Sequence, residues 1–294
     1  MATEKRKIYI AWSNKQDSYS FIATLKAVEA AGCIPVVLPM LRSKDLPYVG
    51  DALNDGVDEH GILLHQYAEL IKTHTWHRMD TSVLPSDLDC VIFPGGDDIS
   101  PSLCSPAQPW HGIEGDTEYS ALRDISDYLL MSYCLDHDIP LFAICRGMQL
   151  LSMVSGTKMI GDIPSYNATH GLLSNVIHRD PRKVVFVAHD VNITDKNSLI
   201  YRCTGKDVLS KVPSWHHQGV ASVEGTALSV TAVADDNLIE AVEDPHKRFA
   251  LGVQFHPEVA VRKWVERSGD ASKFTDFDTA VSFITALDKA RRGI

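Results

Sequence analysis

The 294-residue sequence lacks several patterns that define whole classes of protein. No apolar run approaches the roughly 20 residues that a membrane-spanning helix needs, and the run after the charged N-terminus is too short for a signal-peptide core. The six cysteines show no Cys-x-x-Cys spacing, which argues against a zinc ribbon and a disulfide scaffold. Repeats and low-complexity tracts are missing too. These absences favour a protein of the reducing cytoplasm with no membrane partner.

Positive charge is scarcer than negative charge. Lys and Arg total 28 against 38 Asp and Glu, a formal net charge of −10. Nucleic acid requires a basic surface, so no nucleic-acid partner is expected. The length suffices for one large α/β domain or two small ones, and the lack of Pro/Gly-rich linkers favours a single domain over residues 1–294.

The order of the predicted elements indicates the architecture. Strand patterns at 7–11 and 34–38 enclose a helical pattern at 18–31, and this βαβ opening predicts a doubly wound, mostly parallel sheet flanked by helices. A later run of strand patterns predicts a small antiparallel β layer added to that sheet. Further strands are predicted at 89–93, 141–144, 183–188, 207–212, 227–234, 238–242 and 249–255, and a long helix at 116–137.

Two segments fall outside this regular pattern. Residues 40–85 are interpreted as an insertion, with its best helix at 62–71, that covers a sheet edge or the mouth of the site. Residues 261–294 are interpreted as a helical tail. The insertion contains four histidines, but their spacing matches no metal-ligand pattern, so a solvated segment without metal is predicted. These histidines are His60, His65, His74 and His77.

The segment Pro140-Leu-Phe-Ala-Ile-Cys145-Arg-Gly-Met-Gln149 predicts a buried strand that turns into a helix, with a cysteine at the bend. A sharp strand-to-helix turn exposes the side chain at the bend, as in a nucleophile elbow. The N-terminus of a helix favours negative charge, which lowers the pKa of a thiol placed there. Cys145 is therefore a candidate nucleophile, and a buried, inert cysteine is the alternative.

Two further segments offer the groups that a thiol nucleophile needs. Gly95 and Gly96 follow the strand before the cysteine, where backbone N–H groups can stabilise a developing negative charge. After the last predicted strand, His256 can take the thiol proton, and Glu258 can fix the tautomer of the imidazole. We expect Pro257 to stop the strand and to leave this histidine and glutamate in an extended turn. Parallel sheets bind ligands at the edge where these strands end.

Four motifs in order resemble the class I glutamine amidotransferase-like superfamily. They are Phe93-Pro-Gly-Gly-Asp, Ile144-Cys-Arg-Gly-Met-Gln149, Ser214-Trp-His-His-Gln218 and Gly252-Val-Gln-Phe-His-Pro-Glu258. The Cys-Arg-Gly and His-His-Gln signatures resemble the γ-glutamyl hydrolase branch, and most of all the bacterial γ-glutamyl-γ-aminobutyrate hydrolases. The resemblance covers about residues 7–258 except the insertion. It implies a flavodoxin-like α/β fold and an amide hydrolase that works through a thioester, with no metal and no organic cofactor.

The resemblance also implies individual roles. Cys145 would be the nucleophile, His256 the base and Glu258 its orienting partner. The backbone N–H groups of Gly96 and Arg146 would form the oxyanion hole. The Arg146 guanidinium has two open roles, since it can pair with a substrate carboxylate or brace its own loop. The expected substrate-binding residues are Gly95, Gln149, Trp215, His217 and Gln218.

The sequence departs from the family pattern near the pocket rim, so the amine half of the substrate stays open. Departures include Ala143, residues 155–163, and Asp127, where the family's helix tends to carry glutamate. The expected substrate is a small γ-glutamyl conjugate of γ-aminobutyrate or of a polyamine, which would place the protein in polyamine catabolism. The alternatives are a glutaminase subunit that supplies ammonia to a separate synthase and a non-catalytic γ-glutamyl metabolite-binding protein. A homodimer stays open as the oligomeric state.

Several carboxylates flank the expected mouth of the site. They can attract a cationic leaving group or form a solvated acidic surface, and the second interpretation is favoured. They are Asp97, Asp98, Glu114, Asp116 and Glu118.

Overall fold

The computed structural model describes residues 6–106 and 119–291 of the chain. The strands are β1 (Lys7–Ile10), β2 (Ile34–Val37), β3 (Tyr48–Val49), β4 (Ala52–Leu53), β5 (Val91–Phe93), β6 (Leu141–Ile144), β7 (Lys158–Ile160), β8 (Val187–Ile193), β9 (Val208–Ser214), β10 (Gly219–Ser222), β11 (Ser229–Ala234), β12 (Ile239–Glu243) and β13 (Ala250–Val253). The helices are α1 (Tyr19–Ala30), α2 (His65–His74), α3 (Ala121–Asp136), α4 (Arg146–Val154), α5 (Ile163–His170), α6 (Leu199–Thr204), α7 (Pro257–Val265) and α8 (Phe277–Ala290).

A nine-stranded sheet organises the described residues, in the order β2-β1-β5-β6-β13-β12-β11-β8-β9. The strands from β2 to β13 are parallel neighbours. From β13 to β9 every neighbouring pair is antiparallel. The doubly wound α/β prediction is confirmed, and the predicted antiparallel addition continues the same sheet at one edge. Two short sheets, β10-β7 and β3-β4, stand beside it.

The central strand β6 is buried on both faces, as its unbroken apolar sequence predicts. Leu141 and Ala143 belong to one apolar cluster together with Met148 of α4. Phe142 belongs to the other cluster, where its ring stacks on that of Phe283 in α8 at a centroid distance of 5.4 Å. Helices therefore cover both faces of the sheet, and the carboxyl end of β6 is fixed between them.

The insertion at 40–85 contains the β3–β4 hairpin and α2, whose Ala68 and Ile71 pack into the core. Its four histidines do not come together as a cluster able to hold a metal within residues 6–106 and 119–291. In the same ranges, no helix has both the length and the apolar composition needed to cross a bilayer.

Some predicted boundaries were wrong. The strand predicted at 183–188 begins only at Val187 and runs to Ile193. The long helix predicted from 116 begins at Ala121 in the described chain, after Ser120 accepts a hydrogen bond from the Arg123 amide as an N-cap. Residues 116–118 of the predicted helix lie outside the described ranges. The short elements α5, α6, β7 and β10 were missed, since each is too short to show a clear period.

Candidate active site

Cys145 lies at a sharp bend between β6 and α4, as the sequence predicts. Its backbone has φ 50° and ψ −103°, which is a strained conformation for a residue with a side chain. The Cys145 amide donates a hydrogen bond of 2.7 Å to the Val253 carbonyl of β13. The bend is therefore held by the neighbouring strand, and the residue is only 4% exposed.

The glycine of the Cys-Arg-Gly motif is required by close packing. A Cβ atom at Gly147 would lie 2.4 Å from the carbonyl oxygen of Phe93, so no larger residue fits between α4 and β5. A Cβ atom at Gly252 would likewise lie 2.9 Å from Met148 Cγ. Because both glycines lack a side chain, α4 packs directly against the sheet, and this packing fixes the direction of the helix N-terminus.

His256 and Glu258 form a buried pair next to this bend. His256 Nδ1 lies 2.7 Å from Glu258 Oε1, and the side chains are 4% and 0% exposed. The predicted extended turn is wrong, because Pro257 opens helix α7 and His256 is the residue before its first turn. Proline suits this position because it has no backbone N–H, and the first turn of a helix leaves such groups unpaired.

Cys145 and His256 meet on one side of the sheet, with Gly95 between them. A Cβ atom at Gly95 would lie 2.7 Å from His256 Cε1 and 3.6 Å from Cys145 Cβ, so the loop needs glycine there. Burial lowers the pKa of His256, but the negative charges of Glu258 and Cys145 and the hydrogen bond to Glu258 outweigh this effect. The pKa of His256 is therefore raised above its ordinary value.

The loop with the two glycines is held from below by Arg123. Its Nη2 donates hydrogen bonds of 3.0 Å to the carbonyl oxygens of Pro94 and Gly95. A Cβ atom at Gly96 would lie 2.0 Å from Arg123 Nη1, so this position must also stay free of a side chain. Gly96 and Cys145 line the same pocket, which keeps the N–H groups of Gly96 and Arg146 as candidate oxyanion donors.

The guanidinium of Arg146 does not reach the pocket. It is 2% exposed and donates at 2.6 Å to Asp124 Oδ1 and at 2.5 Å to Asp127 Oδ2. Of its two open roles, the structure therefore supports the brace, and pairing with a substrate carboxylate was wrong. Arg123 Nε lies 3.3 Å from the same Asp127 oxygen. We call Arg123, Asp124, Asp127 and Arg146 the α3 ion cluster.

A pocket of about 300 Å³ opens beside Cys145. It is lined by Lys15, Gly96, Asp97, Asp98, Cys145, Gln149, Arg179, Trp215, His216, His217 and Gln218. Four of the five predicted substrate-binding residues thus lie around the sulfur, and Gly95 packs behind them. The sequence reasoning missed Lys15, which follows the first strand at the sheet edge where ligands bind. It also missed Arg179, which lies in a loop and carries no sequence signal.

The carboxylates at this pocket are engaged with bases. His217 lies 3.1 Å from Asp98 and 3.2 Å from Asp162, and Lys15 lies 3.0 Å from Asp97. Burial lowers the pKa of His217, but Asp98 and Asp162 raise it above its ordinary value. The other three flanking carboxylates, Glu114, Asp116 and Glu118, lie outside the described residues.

A second cavity of about 440 Å³ reaches His256 and is mainly apolar. It shares Lys15, Gly96, Asp97 and Trp215 with the first pocket. Its apolar lining is Tyr19, Val184, Val185, Phe186, Trp215 and Phe274. The ring of Phe186 meets that of His256 edge-on at a centroid distance of 5.1 Å. His256 therefore stands between the sulfur and an apolar cavity.

The sequence is similar to those of several known proteins. NtpR of Enterococcus hirae is 34% identical over 176 residues, which is 58% of this chain and 67% of NtpR. A glutamine amidotransferase-like protein of Rickettsia prowazekii is 27% identical over 267 residues, 79% of each chain. The γ-glutamyl-γ-aminobutyrate hydrolase of Escherichia coli K12 is 32% identical over 179 residues, which is 58% of this chain and 64% of the hydrolase.

Solved structures share the fold at low sequence identity. A GMP synthase subunit of Thermoplasma acidophilum has a TM-score of 0.53 at 14% identity, over 99% of this chain and 98% of its own. A glutamine amidotransferase of Thermotoga maritima has a TM-score of 0.52 at 12% identity, over 98% of this chain and 99% of its own. Residues 70–258, more than half of the chain, match the family described as peptidase C26. The protein therefore belongs to the peptidase C26 family, in the γ-glutamyl hydrolase branch of the class I glutamine amidotransferase-like superfamily.

Proposed function

We propose that the protein is a cysteine hydrolase that cleaves the γ-glutamyl amide bond of a small-molecule conjugate. The observation that carries this proposal is the position of Cys145, on its strained bend, and of His256, whose Nδ1 is held by Glu258, on either side of Gly95. The peptidase C26 family and the hydrolase relative from Escherichia coli support a γ-glutamyl amide hydrolase. A non-catalytic binding protein would have no use for all three groups.

In the first half of the reaction, the Cys145 thiol gives its proton to His256 Nε2, and the resulting thiolate attacks the γ-carbonyl carbon. A C–S bond forms and the carbonyl electron pair moves onto oxygen, where the N–H groups of Gly96 and Arg146 stabilise the charge. The oxyanion then collapses and the C–N bond breaks. The amine leaves with a proton from His256 Nε2, while Glu258 keeps the Nδ1 proton in place.

In the second half, water attacks the γ-glutamyl thioester. His256, now neutral, takes a proton from this water as the C–O bond forms. The C–S bond breaks, glutamate is released and the sulfur regains its starting state. All the proton transfers use groups that this chain supplies.

The pocket beside Cys145 suits the charged end of a γ-glutamyl group, which carries an α-carboxylate and an α-ammonium. Arg179 and Lys15 provide positive charge along its wall, and Asp97 and Asp98 provide negative charge. We assign the α-carboxylate to Arg179, because a guanidinium binds carboxylates through two parallel hydrogen bonds. Asp98 is the counterpart for the α-ammonium. Arg179 thus takes the carboxylate-binding role that the sequence had left open for Arg146.

The apolar cavity next to His256 is the place for the amine half, because His256 protonates the leaving nitrogen. Val184, Val185 and Phe274 would surround a methylene segment there. Both γ-aminobutyrate and the polyamines contain such a segment between charged ends. We therefore propose conjugates of this type as substrates, with polyamine catabolism as their setting.

The test is a series of γ-glutamyl amides whose amine half differs in length, with released glutamate as the readout. We expect γ-glutamyl-butylamide to exceed γ-glutamyl-methylamide in kcat/KM by about 10-fold or more, since each buried methylene contributes about 0.8 kcal/mol. γ-Glutamyl-spermidine and γ-glutamyl-γ-aminobutyrate then show which terminal charge is preferred. The matched α-glutamyl amides serve as controls and should not be cleaved.

Two outcomes would overturn the proposal. If only glutamine were hydrolysed, and only after a synthase was added, the protein would be an ammonia-supplying glutaminase subunit. If γ-glutamyl amides bound but none was cleaved, it would be a metabolite-binding protein. Alkylation by iodoacetamide separates the second case cheaply, because a catalytic Cys145 should react faster than the other five cysteines.

A further inference from the structure

Three histidines and a glutamate converge inside the antiparallel part of the sheet, behind the wall of the pocket beside Cys145. His189 lies on β8 and Glu240 on β12, while His178 precedes β8 and His216 follows β9. Their side chains are 6% exposed or less. The four donor atoms lie within 4.8 Å of one another. We call these residues the histidine–glutamate cluster.

The distances within the cluster centre on one carboxylate oxygen. Glu240 Oε1 lies 3.3 Å from His178 Nδ1, 3.6 Å from His189 Nε2 and 3.6 Å from His216 Nε2. Two tetrahedral ligands bound at about 2.0–2.2 Å to one zinc ion are separated by about 3.3–3.6 Å. The three histidine–glutamate distances therefore match those of ligands around a common ion, and donor atoms up to 4.8 Å apart would have to move closer to bind it.

The inner atoms of the cluster have no hydrogen-bond partner among residues 6–106 and 119–291. This holds for one nitrogen of each histidine and for both carboxylate oxygens of Glu240, and all five atoms are buried. Unpaired buried polar atoms are rare and costly in folded proteins. Five in one place indicate that a further group belongs between them.

The outer nitrogens of the three rings are all bonded to acceptors. His178 Nε2 lies 3.0 Å from Asp236 Oδ2, and the outer nitrogens of the other two rings face backbone carbonyls at 3.1 and 2.9 Å. An acceptor requires an N–H on that outer nitrogen, so in a neutral ring the inner nitrogen presents a lone pair to the carboxylate. Metal-binding histidines are oriented in this way by carboxylates and carbonyls.

A divalent cation satisfies all of these inner atoms at once. Protonating one ring pairs that ring with the carboxylate but leaves the inner nitrogens of the other two rings without a donor, and protonating all three rings would bury three positive charges side by side. One divalent ion accepts all four donors and brings only two charges. Imidazole and carboxylate ligands in a four-coordinate arrangement are typical of zinc.

We propose that the histidine–glutamate cluster is a structural zinc site, with His178, His189, His216 and Glu240 as its ligands. Four protein ligands leave no position for a water, so the ion does not take part in hydrolysis. Its effect reaches the pocket through His216, which lies between Trp215 and His217 of the pocket wall. The ion would fix this wall, and the hydrolytic steps described above are unchanged.

The test measures metal in the full-length chain, purified without a polyhistidine tag, by inductively coupled plasma mass spectrometry. We expect about one zinc per chain in the wild-type protein and less than one-tenth in His189→Ala. The matched control is His65→Ala, because the His65 side chain is 67% exposed and should leave the zinc content unchanged. Cys145→Ala should also keep the full content, which excludes the nucleophile as a ligand.

Two further measurements remain decisive if His189→Ala does not fold. X-ray absorption of the wild-type protein should show only nitrogen and oxygen neighbours at about 2.0–2.2 Å, with no sulfur at about 2.3 Å. Removal of zinc with dipicolinate should lower the melting temperature by several degrees, and added Zn²⁺ should restore it. None of these readouts depends on hydrolysis. The zinc site can therefore be confirmed or rejected independently of the proposed function.

The proposal is overturned if the wild-type protein carries less than one-tenth of an equivalent of any transition metal and its melting temperature does not respond to Zn²⁺. It is equally overturned if His189→Ala retains the metal, or if the absorption spectrum shows sulfur ligands. Stoichiometric zinc that is lost only in the cluster variant supports it.

Discussion

Two buried groups of charged residues lie close to the pocket, and they differ in how their charges are matched. In the α3 ion cluster, two arginines face two aspartates at 2.5 to 3.3 Å, so the positive and negative charges balance. In the histidine–glutamate cluster, lone pairs face a carboxylate and the inner atoms lack partners among the described residues. The first cluster balances its charges with the groups of this chain, although Arg123 Nε and Asp127 Oδ1 lack a hydrogen-bond partner among the described residues. The second would be balanced by the cation that we propose for it.

The two clusters also support different parts of the site. Arg146 is adjacent to Cys145, so the α3 ion cluster holds the nucleophile side, in the parallel half of the sheet. His216 is adjacent to Trp215 and His217, so the histidine–glutamate cluster holds the pocket wall, in the antiparallel half. The catalytic residues can therefore be distinguished from the two clusters that hold them in place. Separate substitutions can test the catalytic residues and each cluster.

The largest effect is expected from Cys145→Ala, which removes the chemistry and leaves both clusters intact. Without the sulfur no thioester forms, and glutamate release should fall by about 10⁴-fold or more. Melting temperature and zinc content should stay at their wild-type values. Cleavage within 100-fold of the wild-type rate would contradict the proposed mechanism.

Glu258→Gln should reduce kcat/KM by about 10²–10⁴-fold, because the amide cannot stabilise the imidazolium of His256. Among the contributions that raise the pKa of His256, the charge of Glu258 is the largest, so the substitution lowers that pKa. The leaving amine needs protonated His256, and protonation is then lost at a lower pH. The alkaline limb of the kcat/KM profile should therefore move to lower pH, while an unchanged limb would contradict the pairing.

Arg146→Met tests the balanced cluster. It leaves Asp124 and Asp127 buried without this guanidinium, and breaking such a pair should lower the free energy of unfolding by about 3–5 kcal/mol. Arg248→Met is the matched control, because Arg248 pairs with Asp138 at the surface and is 49% exposed. A surface pair contributes only about 0–1 kcal/mol. Urea unfolding of both variants measures the difference, and equal values would show that burial of the cluster does not matter.

The smallest effect is expected from Arg179→Ala, which touches the substrate and neither cluster. We expect KM for a γ-glutamyl amide to rise about 10-fold with kcat nearly unchanged, because binding of the α-carboxylate is lost in ground and transition state alike. Arg182→Ala is a control in the same loop, since its side chain is 77% exposed. A kcat loss with constant KM would assign Arg179 to the transition state instead.

The parts of the fold and site that sequence reasoning found are local. Within five residues, the apolar run Leu141–Ile144 predicts a strand, and the cysteine after it marks the bend. The other strands were also predicted from short apolar runs. This prediction failed where apolar residues line a cavity instead of forming a strand. Val184 and Val185 resemble a strand, but they are largely exposed and line the cavity at His256.

The parts that it missed depend on long-range pairing or on ambiguous residues. Pro257 ends a strand and begins a helix equally well, so the sequence could not distinguish the two. The histidine–glutamate cluster has ligands tens of residues apart, brought together by antiparallel register that no short spacing encodes. Proximity in sequence also does not ensure proximity in space, since His60 and His65 do not join a metal-binding cluster in the described residues.

The backbone of Cys145 sets a limit on how this protein can be engineered. Glycine tolerates a positive φ without penalty, whereas a side chain there costs on the order of 1–3 kcal/mol. A selection for heat resistance alone would therefore tend to replace the nucleophile on which turnover depends. A mutant library designed to raise the thermal stability of this protein must therefore keep position 145 constant and vary other positions.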